Sequence, residues 1–535
     1  MNVVFFITSV FFLLSVVRTV FFWVWLWQIK EYRLDRMYVH LTETLQGRSL
    51  FLSPFLWLKI ITIGVYFFFI LNISLITGYE LFISVLIIAQ GIMVLREISL
   101  HVLRRPIFTI KSICMLLVIG ILIWMVYMIP PLDRFVWLLF IERLVIFLTA
   151  FFVLALYFPT EFYRDIQIEN SIKKISKNKN VLIIGVTGSY GKSSTKEFVA
   201  QVLAKKFRVL KTLGTNNTPI GIASTILRGL KDTTEIFVVE MGAYKRGEIA
   251  QLSQMVHPKI GILTAVNDQH LSLFGSIENT MRAKYELIES LPKDGLALFN
   301  GESDNAVSLY KKTKIEKVLY STHVLPGELG RGSSRIFAEN IDSHKTHIEF
   351  DVVQGATSSR YKTLLIGEHN VENILPAIYI ARHLKMSERD IKQAVLNLKP
   401  IEKTMIVSQL SHGPTVVDDT FNANPESVLS ALKYMKMYKG KKVIVLQPMI
   451  ELGKNSKKEH YRIAKEIAKV CDNLFLTNRN FLRSVEKGVS DTPYECLVQV
   501  ARPNEIEEFI TKDLKAGDVV VFEGKESFRS LSRVV

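Results

Sequence analysis

Hydrophobic residues follow two regimes along this chain. Before residue 160 they run in long blocks with few charges. After it they come in runs of four or five, broken by polar and helix-forming stretches. Five apolar segments stand out, at about 2–27, 52–76, 80–95, 107–130 and 135–158. A helix needs about 20 apolar residues to cross a bilayer, so each reads as a transmembrane span, the third being short. The first is too long for a removable signal peptide and lacks a small-residue cleavage site. Further on, Val181-Leu182-Ile183-Ile184, Ile236-Phe237-Val238-Val239-Glu240 and Ile260-Gly261-Ile262-Leu263-Thr264 read as buried strands, with a helix-forming run from Lys196 to Ala200. Val416-Val417-Asp418-Asp419, Val443-Ile444-Val445-Leu446 and Val519-Val520-Val521-Phe522 repeat the pattern. Alternating strands and helices predict an α/β fold with a mostly parallel sheet and sites at the carboxyl ends of its strands. The expected organisation is a helical transmembrane region over residues 1–160, a P-loop mononucleotide-binding central domain over 161–398 and a Rossmann-like C-terminal domain over 399–535.

Charge refines this picture. The formal net charge is +16 over 535 residues, but much of the excess flanks the apolar blocks, and no nucleic-acid motif accompanies it. Lys30, Arg33, Arg36 and Arg48 occupy one loop, and Arg96, Arg104 and Arg105 another. Arg164, Lys173, Lys174, Lys177 and Lys179 follow the fifth segment. The opposite loops, Gly78-Tyr79-Glu80 and Pro131-Leu132-Asp133-Arg134, hold one basic residue. The positive-inside rule then puts the N-terminus outside and residue 160 onward in the cytoplasm of a multi-pass membrane protein. Cys114, Cys471 and Cys496 are too scattered for a metal or disulfide framework. Glu142 and Arg143 fall inside the fifth segment. They read either as a contact to a lipid headgroup or another helix, or as charges that snorkel to an interface. Arg18 and Lys59 read as snorkelling.

The richest stretch is Gly185-Val186-Thr187-Gly188-Ser189-Tyr190-Gly191-Lys192-Ser193-Ser194-Thr195. It lies between a predicted strand and a predicted helix, the context of a phosphate-binding loop. Its spacing departs from G-x-x-x-x-G-K-[ST], because Val186 stands where the first Gly belongs. The glycines let backbone N–H groups face phosphate oxygens, and the helix N-terminus adds its positive dipole end. Thr187, Gly188, Ser189, Gly191, Lys192, Ser193 and Ser194 are therefore the expected ATP-binding residues. Lys192 is placed to reach the β/γ-phosphates and Ser193 to ligate Mg2+. Glu240 and His270 fall after strands on the same expected edge and suit a Mg2+ site bridging phosphates. Lys284, read alone, is a solvated helix lysine.

The order of these motifs resembles the Mur ligase family, which joins amino acids or peptides to peptidoglycan precursors using ATP. The resemblance covers roughly residues 180–535. Thr187 to Ser193 is similar to the family's P-loop, and Asn216-Asn217-Thr218-Pro219-Ile220-Gly221 to its Asn-Asn-x-x-Gly loop. Glu240-Met241-Gly242-Ala243 with Gly247-Glu248-Ile249, then His270-Leu271, Phe274-Gly275-Ser276 and Ala283-Lys284-x-Glu286, follow in family order. Gly367-Glu368-His369-Asn370-Val371-Glu372-Asn373 is similar to its adenine-side motif. Asp418-Asp419-Thr420-Phe421-Asn422-Ala423-Asn424-Pro425-Glu426-Ser427, with Glu451-Leu452-Gly453 and His460, resembles the member type that adds D-alanyl-D-alanine to UDP-MurNAc-tripeptide. The resemblance implies that Lys284 is carbamylated and holds Mg2+ with Ser193, Glu240 and His270, and that Lys192, Glu240, His270 and Lys284 carry the chemistry. It implies that Asn370 and Asn373 lie near the base and that Asp418 or Asp419 contacts the ribose. It implies that Asn216, Asn217, Asn422 and Asn424 serve the substrates, Asn422 to Asn424 lying near the incoming dipeptide.

The chain departs from the family where membrane helices replace the N-terminal domain that holds the UDP end. Glu402-Lys403 stands where Gly-Arg is frequent, Gln447-Pro448 where Gly-Asp is common, and Glu523-Gly524-Lys525-Glu526-Ser527 only loosely matches Lys-Gly-Ser. The expected function is an ADP-forming amide ligase in a bacterial-type inner membrane. Its expected partners are a peptidoglycan-type precursor, either UDP-linked or lipid-linked, an amino acid or dipeptide, and membrane lipid, with no nucleic acid. A poly-γ-glutamate synthetase-like ligase, a transport ATPase and a catalytically dead scaffold are the alternatives.

Overall fold

In the computed structural model the described residues are 2–535, apart from 31, 33, 44, 53, 70–72, 101, 130–132, 215, 268–273, 325–334, 412, 450, 451, 453 and 454. His270, Glu451 and Gly453 therefore lie outside the described residues. The chain divides into two compact units, Met1–Asp165 and Ile166–Val535.

Unit one is helical. Its long helices are Asn2–Ile29, Pro54–Phe69, Ile73–Ser99, Ile110–Met128 and Arg134–Ala155, the last followed by Tyr157–Lys177, which continues into the second unit. Five helical stretches are long and apolar enough to cross a membrane, by length and composition. The third apolar segment is not short: its helix begins at Ile73, because residues assigned above to the end of the second segment belong to the third. Asp133 caps Arg134–Ala155 by accepting from the N–H groups of Phe135 and Val136. Gly91 lets Ile73–Ser99 approach Asn2–Ile29 closely, since a Cβ there would meet the Phe11 ring at 2.4 Å.

The charges within the apolar helices are helix contacts. Lys59 is fully buried, so it does not snorkel. Its Nζ lies 2.6 Å from Glu142 Oε2 and also donates to Gln90 Oε1. Gln90 Nε2 donates to Glu142 Oε1 at 2.7 Å, and Arg143 pairs with the same carboxylate at 3.0 Å. Three helices thus share one carboxylate, which favours the helix-contact reading of Glu142. Arg18 is half-exposed and pairs with Glu97 at 2.9 Å.

Unit two holds two sheets. The first has nine strands: β1 Leu182–Thr187, β2 Val209–Lys211, β3 Ile236–Glu240, β4 Ile260–Leu263, β5 Leu296–Asn300, β6 Glu316–Ser321, β7 Arg335–Ser343, β8 Ile348–Gln354 and β9 Thr357–Thr363. Their order is β2-β3-β1-β4-β5-β6-β7-β8-β9. The pairings from β2 through to β7 are parallel, and β7-β8-β9 is an antiparallel meander. Helices pack on both faces, so β3 and β4 are buried along their whole length.

The second sheet has β10 Ile406–Gln409, β11 Thr415–Asp419, β12 Lys442–Leu446, β13 Asn473–Leu476, β14 Leu497–Val500 and β15 Val519–Glu523, in the order β10-β11-β15-β12-β13-β14. Only the β10 pairing is antiparallel. The α/β reading stands, with mixed rather than purely parallel sheets.

Candidate active site at the carboxyl ends of the strands

The loop after β1 is built as a phosphate cradle. Gly188 and Gly191 adopt φ of +148° and +76°, conformations that favour glycine. Space demands glycine too: a Cβ on Gly188 would lie 1.9 Å from Thr264 Oγ1, and one on Gly191 2.6 Å from Asn373 Oδ1. Gly191 is the N-cap of helix Lys192–Leu203, so the loop delivers N–H groups and the dipole end together. The neighbouring strands lock the cradle. Thr187 Oγ1 donates to the Met241 carbonyl at 2.8 Å, and Thr264 Oγ1 donates to the Thr187 carbonyl at 3.2 Å and also contacts the Tyr190 carbonyl. Ser189 N–H donates to the Ala265 carbonyl at 2.6 Å, and its hydroxyl accepts from Asn267 N–H at 3.2 Å. Ser193 and Ser194 are half-buried at the helix start. Lys192 Nζ donates to the Ser189 carbonyl at 2.7 Å, folded over its own loop. Burial holds its pKa below the usual lysine range, with Glu240 opposing.

Glu240 ends β3 fully buried beside the cradle. Its Oε1 accepts from Asn217 Nδ2 at 3.1 Å, and its backbone N–H donates to Thr212 Oγ1 at 3.1 Å. Its Oε2 is buried with no hydrogen bond among the described groups. A buried carboxylate oxygen with no hydrogen bond, and only the Lys196 ammonium 3.5 Å away, is the kind of donor a hard cation takes. Among the described residues no three His, Cys, Asp or Glu side chains gather for a metal. Mg2+ is usually held by one or two carboxylates plus phosphate oxygens and water. The Glu240 carboxylate and the Ser193 hydroxyl therefore fit Mg2+.

Lys284 is the residue whose isolated reading fails. It lies on helix Ile277–Glu289, buried rather than solvated. Its Nζ is 3.5 Å from the Ala243 carbonyl and 5.6 Å from the Phe274 ring centroid. Its pKa is lowered to about 7, first by burial and then by the charge of Lys192, against the pull of Glu248, Glu240 and Glu286. The charges of Lys192, Glu240 and Lys284 thus act on one another.

Helix His369–His383 closes one wall. Asn373 Oδ1 accepts from Thr195 Oγ1 at 3.2 Å, tying this helix to the cradle, while Asn370 Nδ2 donates to the Ile366 carbonyl at 2.7 Å. His369 is half-buried, its Nδ1 is buried with no hydrogen bond among the described groups, and desolvation lowers its pKa to about 4.

In the second sheet, Asp418 accepts from the N–H and hydroxyl of Thr420 at 3.0 and 2.6 Å. Asp419 is turned inward. It is buried opposite Glu523, its register partner on β15, and accepts from Met405 N–H at 3.3 Å. Burial, helped by the charge of Asp418 and opposed by the hydrogen bonds from Glu523 and Met405, raises its pKa to about 7, while burial and the Asp419 carboxyl push that of Glu523 far above the ordinary range. Asn422 and Asn216 are exposed. Asn424 caps helix Pro425–Met435 in a reciprocal box with Ser427. Asn267 Nδ2 donates to Glu426 Oε1 at 3.2 Å, an exposed link between the two sheets' edges.

Sequence reasoning missed Thr264, Thr195 and Lys196. Lys196 was legible from helix phase: it shares a face with Val199 and Leu203, at i, i+3 and i+7, where a lysine is out of place. The threonines carry no such mark.

Comparison with known proteins agrees with this geometry. The Mur ligase middle domain profile matches residues 186–381, and the Mur ligase glutamate ligase domain profile matches 405–526. The UDP-N-acetylmuramoyl-tripeptide–D-alanyl-D-alanine ligase of Bacillus subtilis is 26% identical over 353 residues, 65% of this chain and 74% of the relative. The Escherichia coli enzyme of that name is 29% identical over 283 residues, 53% of this chain and 61% of the relative. Among solved structures, MurF from Thermotoga maritima in complex with ADP has a TM-score of 0.62 at 24% identity, covering 69% of this chain and 83% of its own. MurF from Acinetobacter baumannii has a TM-score of 0.62 at 23% identity, covering 69% and 80%.

Proposed function

Because this chain belongs to the Mur ligase family of ATP-dependent, ADP-forming ligases, we propose that it adds D-alanyl-D-alanine, or a closely similar amine, to the peptide of a peptidoglycan precursor at the cytoplasmic face of a membrane. The observation that carries the reading is the convergence of a glycine-dependent phosphate cradle, the bare carboxylate oxygen of Glu240 and the buried Lys284. The names of the Bacillus and Escherichia relatives support the choice of substrates. Five helices long and apolar enough to cross a membrane support a membrane site and, with it, a lipid-linked acceptor.

In this mechanism the precursor's carboxylate attacks the γ-phosphorus of ATP and ADP departs, leaving an acyl phosphate. The dipeptide's amine attacks the acyl carbon, inorganic phosphate leaves with the bond electrons, and the amine gives up its proton. When bound, Mg2+ supplies charge neutralisation for the phosphates. The cradle N–H groups fix the phosphate chain, and Lys192 leaves the Ser189 carbonyl to meet the β/γ-oxygens. Glu240 and Ser193 are the residues to hold the cation. Lys284, near half neutral at pH 7, has the free amine that reacts with carbon dioxide to give a carbamate, an anionic oxygen ligand. Asn373 orients the cradle through Thr195, and Asn370 stands one turn earlier on the same wall. Asp418 faces the nucleotide, and the loop holding Asn422 and Asn424 lies near the incoming amine.

The test uses full-length protein with ATP, D-Ala-D-Ala and either UDP-linked or lipid-linked tripeptide precursor, read by mass spectrometry. The proposal expects ADP and one new amide per turnover, with higher kcat/KM on the lipid-linked acceptor. Equal kcat/KM on both acceptors removes the lipid part, and turnover in a parallel reaction with L-glutamate in place of D-Ala-D-Ala, absent with the dipeptide, supports the poly-γ-glutamate type.

A further inference from the structure

Lys196 lies one helical turn beyond Lys192 on helix Lys192–Leu203, and its side chain is entirely buried. Its Nζ donates to the Gly214 carbonyl at 2.7 Å. The same nitrogen lies 3.3 Å from Glu197 Oε1 and 3.5 Å from Glu240 Oε2, the latter an ion-pair distance without a hydrogen bond. Glu197 is neutralised by Lys211 on β2. The Gly214 carbonyl belongs to the loop carrying Asn217, which binds the other oxygen of Glu240 and whose carbonyl accepts from Gly242 N–H at 3.1 Å. Cradle helix, loop and strand end are thus fastened by one ammonium group.

We propose that Lys196 is a positioning residue for the metal-binding carboxylate: with Asn217 it clamps Glu240 and keeps Oε2 aimed and uncommitted until the nucleotide's cation arrives. The inference rests on the Mg·ATP reading of this cleft. Its physical logic is charge balance. A lone buried carboxylate is expensive unless a counter-charge stands near, but a counter-charge hydrogen-bonded to both oxygens would occupy the metal's place. With its short hydrogen bond directed at Gly214 and its Nζ held 3.5 Å from Oε2 without a hydrogen bond to it, Lys196 supplies the charge and leaves Oε2 open.

The test titrates Mn2+ by electron paramagnetic resonance into full-length protein holding a non-hydrolysable ATP analogue. Lys196→Gln keeps a donor for Gly214 but removes the charge, and is expected to weaken Mn2+ about tenfold or more, the usual scale for an outer-shell partner. Lys196→Arg, which keeps the charge, is expected to restore most of that loss. Lys196→Gln combined with Glu240→Gln is expected to match Glu240→Gln alone, since the lysine acts through the carboxylate. Unchanged Mn2+ affinity in K196Q, or losses that add in the double variant, overturns the proposal. Should K196Q not fold, Asn217→Ala tests the other half of the clamp by the same titration, and unchanged affinity there overturns it as well. Lys192→Met is the control for the underlying reading. If K192M binds the analogue as tightly as the parent, the cleft itself has been misread, whatever Lys196 does.

Discussion

Lys284 sits in an interior that costs a charged amine its hydration, with the nearby ammonium of Lys192 adding repulsion. Its folded pKa of about 7 stands below the ordinary value of 10.5. Between those two pH values the folded protein binds fewer protons than the unfolded chain, so this residue's contribution to stability rises with pH across the window. The same shift makes the amine reactive. In 13C-bicarbonate solution a carbamate resonance is expected to grow between pH 6 and 8 and to be missing in Lys284→Arg. No carbamate at pH 8 in the parent protein removes that role. The glycines of the cradle make a separate claim. Gly191→Ala places a Cβ 2.6 Å from Asn373 Oδ1 at a left-handed φ, a strain of about 1–3 kcal/mol. Isothermal titration should show ATP affinity falling about tenfold or more, and parent-like affinity in G191A contradicts the cradle.

Among elements, the carboxyl ends of β11 and β15 bring two acids together, Asp419 and Glu523. Because their pKa values are raised, the folded state holds protons that the unfolded chain has released, and stability falls as pH rises from about 4 through 7. Glu523→Gln removes the repulsion while keeping the shape. Its melting temperature should exceed the parent's at pH 8 by about 2–4 °C for each kcal/mol relieved, with little gain at pH 5. An equal gain at both pH values contradicts the account. In the helical unit, breaking the Lys59–Glu142 pair by Glu142→Leu strands a buried ammonium, a loss of about 3–5 kcal/mol for such pairs. Adding Lys59→Met is expected to recover much of it, as read by thermal melting in detergent.

Legibility in the sequence followed physical contrast. The apolar helices, β1, β3, β4 and the Gly188–Lys192 loop were readable because burial on both faces and glycine-bearing turns leave strong marks. β7 to β9 were not. β9 is Thr-Ser-Ser-Arg-Tyr-Lys-Thr, mostly exposed, and β8 alternates buried and half-buried positions, so neither forms an apolar run. Lys284, Lys196 and Lys59 were misjudged or passed over for one reason: a lysine reads as solvated unless its partners, Ala243, Gly214 or Glu142, are known to face it. Those partners come from distant parts of the chain, and only the fold brings them near.

At the scale of the whole molecule, the chain joins a helical unit rich in apolar stretches to a two-sheet unit of Mur ligase domains. The central claim is that the second unit activates a precursor carboxyl group with ATP and hands it to an amine. The most direct measurement follows 18O from a precursor labelled in its terminal carboxylate, with full-length protein, ATP and D-Ala-D-Ala. The account predicts one 18O in the inorganic phosphate for each amide formed, and no ADP release without the acceptor. Unlabelled phosphate, or ADP formed at the same rate without precursor, contradicts it.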